Sequence, residues 1–201
     1  PHNGEQMHNW VNLENIAEIT SSYPFRTRID DYPAGPLRVI QSRDLVDRKE
    51  VNWESVTAIA PPTENWKKYV LKSHDILFSI RGSYNALLLD AMDAETIAST
   101  HFFRIQVTST MINREFLAWY LNQSFARDYY KRIESGALQK VVRIADIRKM
   151  PLFVAIPPMP RQLELLELSK NISVENEALR RMVKNNNQLL DAVVQEFAHG
   201  R

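Results

Sequence analysis

The side chains of this chain that could do chemistry are mostly arginine, glutamine, asparagine and tyrosine, gathered in three short groups. Arginine and glutamine form paired hydrogen bonds that match the edges of guanine and adenine in a DNA major groove, and lysine suits phosphates. We therefore predict contacts with double-stranded DNA from Tyr23, Arg26, Arg28, Gln41, Arg43, Arg81, Ser83, Tyr84, Asn85, Lys140 and Arg143. The competing interpretation is solvated surface charge, because the formal net charge is only +1.

The middle group, residues 81–85, directly follows the apolar run of residues 76–80. Such a run, ended by Gly82, is typical of a buried strand that leads into a turn. Rigid strands commonly carry recognition groups at their tips, so this turn is a candidate contact site. The alternative is an ordinary hairpin.

Catalytic constellations are absent or incomplete. The five histidines lack the spacing of a zinc site, there is no glycine-rich phosphate loop, and there is no cysteine. We predict no metal, no cofactor and no catalytic activity.

Ser99 and His101 are candidates for a nucleophile and its base, but without a nucleophile elbow a hydrolase stays a minor alternative. Pro157-Pro158 is flanked by Ile156 and Met159, and so lacks the amide and aromatic residues of an amino-methyltransferase loop.

Composition fits one globular domain with an extension: 201 residues, 44% of them hydrophobic and 24% charged. No apolar run approaches the roughly 20 residues that a membrane span requires. The first residues also lack a signal-peptide layout. We expect a soluble, cytoplasmic protein without membrane association.

The candidate contacts must be positioned by both strands and helices, and the pattern predicts an α+β fold. Residues 10–20 are predicted to form a strand running into a short helix, and residues 21–36 a surface loop. Further strands are predicted at residues 37–41, 76–80, 86–89, 102–107 and 151–156, with a turn at residues 44–47. An amphipathic helix is predicted at residues 113–133, and a short turn or helix at residues 145–150.

The last fifth of the chain follows a run of prolines and contains no further proline, which predicts one long helix over residues 159–197 after a domain over residues 1–158. With Leu165 at heptad position a, seven of ten a and d positions are apolar. The predicted dimer interface is Leu165, Leu168, Ile172, Leu179, Met182, Asn186, Leu189 and Val193. The helix would be roughly 55 Å long, too long to be covered by its own domain, which favours a partner over folding back.

The order of these features resembles one half of a specificity (S) subunit of type I restriction-modification enzymes. Four stretches carry the resemblance: residues 10–19 (WVNLENIAEI), 71–83 (LKSHDILFSIRGS), 98–105 (ASTHFFRI), and the run from Ser135-Gly136 through Ile147 to residues 156–162 (IPPMPRQ). The second stretch departs from the family at His74, where glycine is more usual. A larger departure is length, because members usually carry two recognition domains and two spacer helices.

The resemblance implies a target recognition domain with a mostly β core over residues 1–158 and one conserved spacer helix over residues 159–197. It also implies a half-length form that dimerises through this helix to read a bipartite, palindromic target, or a truncated gene product. The family's S subunit makes no bond itself. It reads DNA and docks methyltransferase (modification) subunits, which bind S-adenosylmethionine, and through them a restriction subunit.

A second interpretation belongs to another class: a coiled-coil scaffold whose globular head binds a protein and makes no DNA contact. The two differ in salt dependence, because only binding to phosphates falls steeply as salt rises.

Overall fold

The chain divides into two units, one ending at Met159 and the other beginning at Pro160. A computed structural model describes residues 10–47, 50–62, 65–82, 84–135 and 141–199. In these ranges the strands are β1 (Val11–Asn12), β2 (Ala17–Ser21), β3 (Leu37–Ile40), β4 (Leu45–Val46), β5 (Glu50–Val51), β6 (Thr57–Ile59), β7 (Ile76–Ser79), β8 (Ala86–Leu88), β9 (Thr96–Ala98), β10 (Phe102–Val107) and β11 (Pro151–Phe153). The α-helices are α1 (Arg114–Tyr120), α2 (Ser124–Ser135), α3 (Ile144–Arg148) and α4 (Met159–His199). Strands precede most of the helices, which confirms the predicted α+β class.

Two sheets form the framework of the first unit. A four-stranded antiparallel sheet has the order β2-β10-β7-β8, and a three-stranded sheet has the order β6-β3-β9. In the three-stranded sheet, β3 runs parallel to β9 and antiparallel to β6. The pairs β1 with β11 and β4 with β5 are short. The strands predicted from apolar runs correspond to β3, β7, β8 and β10, whereas β11 is shorter than predicted and the predicted turn at residues 44–47 contains β4.

The three-stranded sheet separates two apolar clusters. Alternation along β3 places Leu37 and Val39 on one face and Ile40 on the other, and all three are fully buried. The first face packs against aromatic residues of the loop before β3, including Tyr23. The second packs against the four-stranded sheet, including Leu77. Each of these buried side chains contributes roughly 1.5 to 3 kcal/mol, so the sheet is held on both faces.

The helix predicted over residues 113–133 is interrupted, and Asn122 explains why. Its side-chain amide donates to the Ala86 carbonyl at 2.7 Å, while its carbonyl oxygen accepts the Ala86 N–H at 2.9 Å. The side chain thereby pairs with the edge of β8 as another strand would. Its amide also donates to the Ala118 carbonyl at 2.9 Å, which closes the end of α1. The single-helix prediction was therefore wrong at residues 121–123.

The turn of Lys72–Asp75 accommodates the departure from the family at His74. His74 has φ +69°, a conformation that glycine adopts without steric cost and a histidine at roughly 1 kcal/mol. The Asp75 N–H donates to the Lys72 carbonyl at 3.1 Å, and the Asp75 carboxylate accepts the Lys72 N–H at 2.8 Å. Burial raises the pKa of the Asp75 carboxyl above its ordinary range. These bonds hold the turn at β7 in the geometry that glycine would favour.

Gly35 allows the loop before β3 to lie directly against β6. A Cβ atom added there would lie 2.2 Å from the Ile59 carbonyl oxygen, which is backbone and cannot rotate away. We predict that Gly35→Ala lowers the free energy of unfolding by roughly 1 to 3 kcal/mol, as overpacking does. In a thermal melt this corresponds to a decrease in Tm of roughly 2 to 12 °C for a chain of this size. An unchanged Tm would contradict this close approach.

Helix α4 is one continuous helix of 41 residues, on the order of 60 Å long. Six apolar residues of the predicted interface are between 39% and 67% exposed in the single chain: Leu168, Ile172, Leu179, Met182, Leu189 and Val193. Leu165 is half-buried, and Asn186 is exposed. Over the described residues, no helix combines the length and apolarity needed to cross a membrane.

Candidate nucleic-acid interface

The topology gathers several loops at one end of the two sheets. β3 and β9 are parallel, so both finish at this end. β10 follows β9 and starts there, and its antiparallel neighbour β7 therefore finishes there. β6 begins at the same end because it is antiparallel to β3. We call the surface formed by residues 41–43, 80–82, 99–101 and 141–143 the recognition edge, since loops on rigid strands are the usual carriers of binding groups.

Backbone hydrogen bonds tie the four segments of the recognition edge together. The Ser99 N–H donates to the Ile40 carbonyl at 2.9 Å, and the Ile80 N–H donates to the His101 carbonyl at 3.0 Å. The Val142 N–H in turn donates to the Ile80 carbonyl at 3.1 Å. Each segment is thus bonded to the next or to the strand end beside it, so the backbone positions that carry the side chains are fixed relative to one another.

Gln41 and Arg43 meet at one hydroxyl group of the recognition edge. The Gln41 Nε2 donates to the Thr57 Oγ1 at 3.0 Å, and an Arg43 guanidinium nitrogen donates to the same oxygen at 2.8 Å. The Arg43 Nε also lies 3.8 Å from the carboxylate of Asp44. Each of these residues uses one nitrogen on Thr57, so Arg43 keeps further donors for a ligand, and Gln41 keeps a donor and its carbonyl acceptor.

Arg81 is exposed at the tip between β7 and β8, beside Gly82 at φ +73°. Tyr84, two residues on, is only 6% exposed, and its ring packs against Tyr130 at 5.6 Å. Burial, and then the neighbouring Glu134 carboxylate, raises the pKa of the Tyr84 hydroxyl to about 12. Tyr84 therefore supports the turn from beneath and remains protonated at neutral pH. Asn85, also predicted as a contact, is half-buried.

Arg143 is exposed at the start of α3, where it forms a fork with Asp146. Its Nε and a terminal nitrogen donate to the two carboxylate oxygens at 2.8 and 3.2 Å. This bonding raises the pKa of Arg143, and the carboxylate offsets the positive charge that Arg143 offers a phosphate. The predicted contacts Lys140 and Ser83 lie outside the described residues.

The loop of residues 22–36 carries the remaining predicted contacts, Tyr23, Arg26 and Arg28. It leaves β2 at the end of the sheets where the recognition edge lies, because β2 is antiparallel to β10. With the short helix Trp66–Tyr69 it lines a cleft of about 620 Å³. The Tyr23 ring packs edge-on against Tyr69 at 5.4 Å, which supports the cleft from below.

Exposed arginines form the rim of this cleft. Arg28 is 3.9 Å from Asp30 at a fully hydrated position, where an ion pair is worth little. Arg38, which is close to Gln41 and Arg43 in the sequence, does not lie on this rim. It is on the opposite face of β3, where it donates to the Trp53 carbonyl at 3.5 Å.

The hydrolase alternative gains no support from the geometry. The Ser99 Oγ lies 3.5 Å from the His101 Nδ1, at the limit of a hydrogen bond. Ser99 is 4% exposed, so a substrate has no access to its hydroxyl. Within the described part of the chain, no group of three or more histidine, aspartate or glutamate residues is placed to bind a metal ion.

Sequence reasoning missed the buried Thr57 beneath this surface and the exposed His101 on it. Thr57 gives no signal in the sequence because a single threonine in a short strand is unremarkable. The exposed His101 lies in the segment that is hydrogen-bonded to the strand ends before Gln41 and before Arg81. Its sequence context suggests only a base for Ser99. A prediction of the antiparallel β3–β6 pair would have placed Thr57 beside Gln41, and a prediction of the parallel β3–β9 pair would have placed the segment of His101 there.

Comparison with solved structures gives the class of fold that this framework represents. The chain is similar to the HsdS subunit from Thermoanaerobacter tengcongensis, with a TM-score of 0.56 and 18% identity over 90% of this chain and 42% of that chain. It is also similar to a chain in a structure of a type I R-M system solved to describe its complex assembly and conformational transition. That match has a TM-score of 0.60 and 18% identity over 90% of this chain and 43% of the other.

The described chain therefore has the fold of one part of a type I restriction-modification S subunit, because it spans less than half the length of these relatives. This confirms, at the level of the fold, the resemblance seen in the sequence. Protein-family models give no match, and neither do curated proteins.

Proposed function

We propose that this chain is a sequence-specific DNA-recognition subunit of a type I restriction-modification system and makes no covalent change itself. In this proposal the recognition edge and the loop of residues 22–36 face the duplex. α4 pairs with α4 of a second copy, so that two recognition domains read a bipartite, palindromic target. The assembled dimer docks methyltransferase subunits and, through the complex, a restriction subunit in the cytoplasm.

The observation that carries this proposal is the placement of Arg43, Arg81 and Arg143 along one end of a rigid sheet framework. The three arginines are far apart in the sequence, and each is exposed. Backbone hydrogen bonds fix the segments that carry them. A fixed row of guanidinium groups suits a polyanion with regularly spaced phosphates and accessible base edges. The likeness to S subunits supports DNA as that polyanion.

The dimeric part of the proposal is supported by the apolar seam of α4. Seven of its ten residues at positions a and d are large and apolar, and six of these are exposed in the single chain, which a lone soluble helix rarely maintains over eight turns. Val183, Leu190 and Phe197 widen this stripe at position e, as in a bundle. Such a stripe is complementary to itself when a two-fold axis relates two copies.

The alternative is a scaffold that dimerises through the same seam and binds only protein. It is favoured by the acid partners of Arg28 and Arg143, which reduce the charge available to phosphates. Both functions predict a dimer, so oligomeric state does not separate them.

Binding of duplex DNA as a function of salt separates the two functions. We expect the wild-type chain to bind a randomised pool of labelled duplexes with an affinity that falls steeply between about 0.05 and 0.2 M salt. The logarithm of affinity should decrease by about 0.9 per phosphate contacted for each unit of log salt, which fluorescence anisotropy measures directly. The assay is repeated with the modification subunit added, because docking belongs to the proposal. The scaffold would be favoured if the chain, with and without the modification subunit, binds no DNA or binds it with an affinity that does not change with salt.

A further inference from the structure

Thr57 is the first residue of β6, is 5% exposed and lies below the recognition edge. Its hydroxyl oxygen accepts hydrogen bonds from both Gln41 and Arg43, at 3.0 and 2.8 Å. A hydroxyl oxygen has two lone pairs, so these donors use its accepting capacity fully. Thr57, at the start of β6, therefore anchors the side chains of both Gln41 and Arg43, which follow the end of β3.

The strand register explains why these three residues meet. β3 pairs with β6 so that Val39 lies opposite Thr57. Side chains two residues apart on a strand share a face, which places Gln41 diagonally across from Thr57 on the face of Val39. Arg43 follows in the short helix Ser42–Asp44 and reaches the same oxygen.

The backbone beneath Gln41 and Arg43 is equally constrained. The Asp44 carboxylate is fully buried, and it accepts the Gln41 N–H at 2.7 Å and the Ser55 hydroxyl at 3.1 Å. The Asp44 N–H donates to the Gln41 carbonyl at 3.0 Å. With the backbone fixed in this way, the remaining freedom lies in the two long side chains, and the Thr57 hydroxyl restricts both.

The two side-chain ends are close enough to act on neighbouring bases. Because both nitrogens contact one oxygen within 3.0 Å, they are at most about 6 Å apart. Successive bases on one DNA strand are about 3.4 Å apart along the helix axis. Glutamine pairs with adenine through N6 and N7, and arginine with guanine through O6 and N7. One anchored pair thus matches two purines in adjacent base pairs.

We propose that Thr57 is a positioning residue that fixes Gln41 and Arg43 as one unit for reading adjacent purines in the DNA target. The proposal rests on the proposed function, since it assigns roles within the same surface. Thr57 itself contacts no base. Its hydroxyl restricts the two side chains before DNA binds, so less conformational entropy is lost on binding. It also orients their remaining hydrogen-bonding groups toward the duplex.

The test compares the wild-type full-length chain with Thr57→Val, Thr57→Ser and Gln41→Ala, each selected against a randomised duplex library. Valine has nearly the same shape as threonine and favours strands, so it removes the hydroxyl while keeping the fold. Serine keeps the hydroxyl. We expect Thr57→Val to lose preference at one or two adjacent base pairs by roughly 5- to 100-fold, the value of lost bidentate contacts. Thr57→Ser should retain the wild-type preference, and Gln41→Ala should lose it at one of the same positions.

The salt slope is the readout that separates positioning from a general structural defect. Thr57→Val keeps every charge, so its slope should equal that of the wild-type chain, with an unchanged far-ultraviolet circular dichroism spectrum. If the wild-type chain enriches no sequence, the proposed function fails and this inference fails with it. If the wild-type chain enriches a site and Thr57→Val enriches it equally, only the positioning role is overturned. A Thr57→Ser variant as defective as Thr57→Val would also overturn that role.

Discussion

A Leu179→Asp chain is expected to be a monomer at concentrations where the wild-type chain is a dimer. Leu179 is at heptad position a and is 52% exposed in the single chain. It is fourteen residues from both Leu165 and Val193, the first and last a positions of the predicted interface. The substitution therefore lies at the middle of the seam.

Because Leu179 is central, the substitution changes two residues that lie near each other in the dimer, one from each copy. In a parallel two-fold dimer, Leu179 of one copy lies against Leu179 of the other. In an antiparallel dimer whose two-fold axis crosses the middle of the seam, the two leucines lie in neighbouring layers beside that axis. Replacing it removes two buried leucines and puts two carboxylates beside each other. The leucines alone are worth roughly 3 to 6 kcal/mol. The dissociation constant of the dimer should therefore increase by about 10² to 10⁴.

Loss of the dimer should also weaken DNA binding without any change at the recognition edge. Two linked recognition domains bind a bipartite site with an effective concentration that exceeds either half alone, commonly by 10² to 10⁴ in affinity. Leu179→Asp should therefore bind a duplex with two half-sites no more tightly than a duplex with one. The wild-type chain should distinguish the two duplexes clearly.

Light scattering over a concentration series measures the oligomeric state, and Gln188→Asp is the matched control. Gln188 is exposed at heptad position c, outside the predicted seam, and the substitution adds the same single negative charge to the same helix. It should leave the dimer intact. A Leu179→Asp chain that remains dimeric, or a wild-type chain that is monomeric throughout, would contradict the proposed interface.

The strands with strong local signals were predictable from the sequence. β7 and β10 are strands of four and six residues in the centre of the four-stranded sheet, and most of their residues are apolar and buried. α4 was predictable because a long run without proline and with a heptad pattern has few alternative structures.

The recognition edge depends on pairing that has no local signal. β9 has only three residues and pairs in parallel with β3, more than fifty positions earlier in the chain. β6 is equally short, so Thr57 could not be placed beside Gln41 from sequence spacing. The interruption after α1 is a tertiary effect as well, because Asn122 is drawn out of the helix by the open edge of β8. Residue types therefore indicated the chemistry of the surface, while long-range pairing decided which of them meet.

Neutralising two arginines of the recognition edge together, Arg43→Gln with Arg81→Gln, should give the second large effect. The arginines are carried by different sheets, and each is exposed. If each contacts DNA, their loss should reduce affinity by roughly 30-fold or more, since one good arginine contact is worth about 1 to 3 kcal/mol. To the extent that they contact phosphates, the slope of log affinity against log salt should become shallower by up to about 0.9 for each arginine in each half-site. Fluorescence anisotropy across a salt series measures both quantities.

Arg114→Gln is the matched control for this pair, because Arg114 is an exposed arginine at the other end of the four-stranded sheet. It follows β10 and is close enough to Asp75, at the start of β7, to act on the charge of that carboxylate. A protein that binds DNA through general surface charge would respond to all three substitutions alike. In a protein that binds DNA through the recognition edge, the double substitution lowers the affinity and the salt slope. Arg114→Gln then leaves both quantities unchanged. Because Arg81 and Arg114 are exposed, each of their substitutions should change the free energy of unfolding by no more than about 0.5 kcal/mol. Arg43→Gln also removes a hydrogen bond to Thr57, which costs about 0.5 to 1.5 kcal/mol, so a thermal melt of the double variant distinguishes a loss of affinity from a loss of fold.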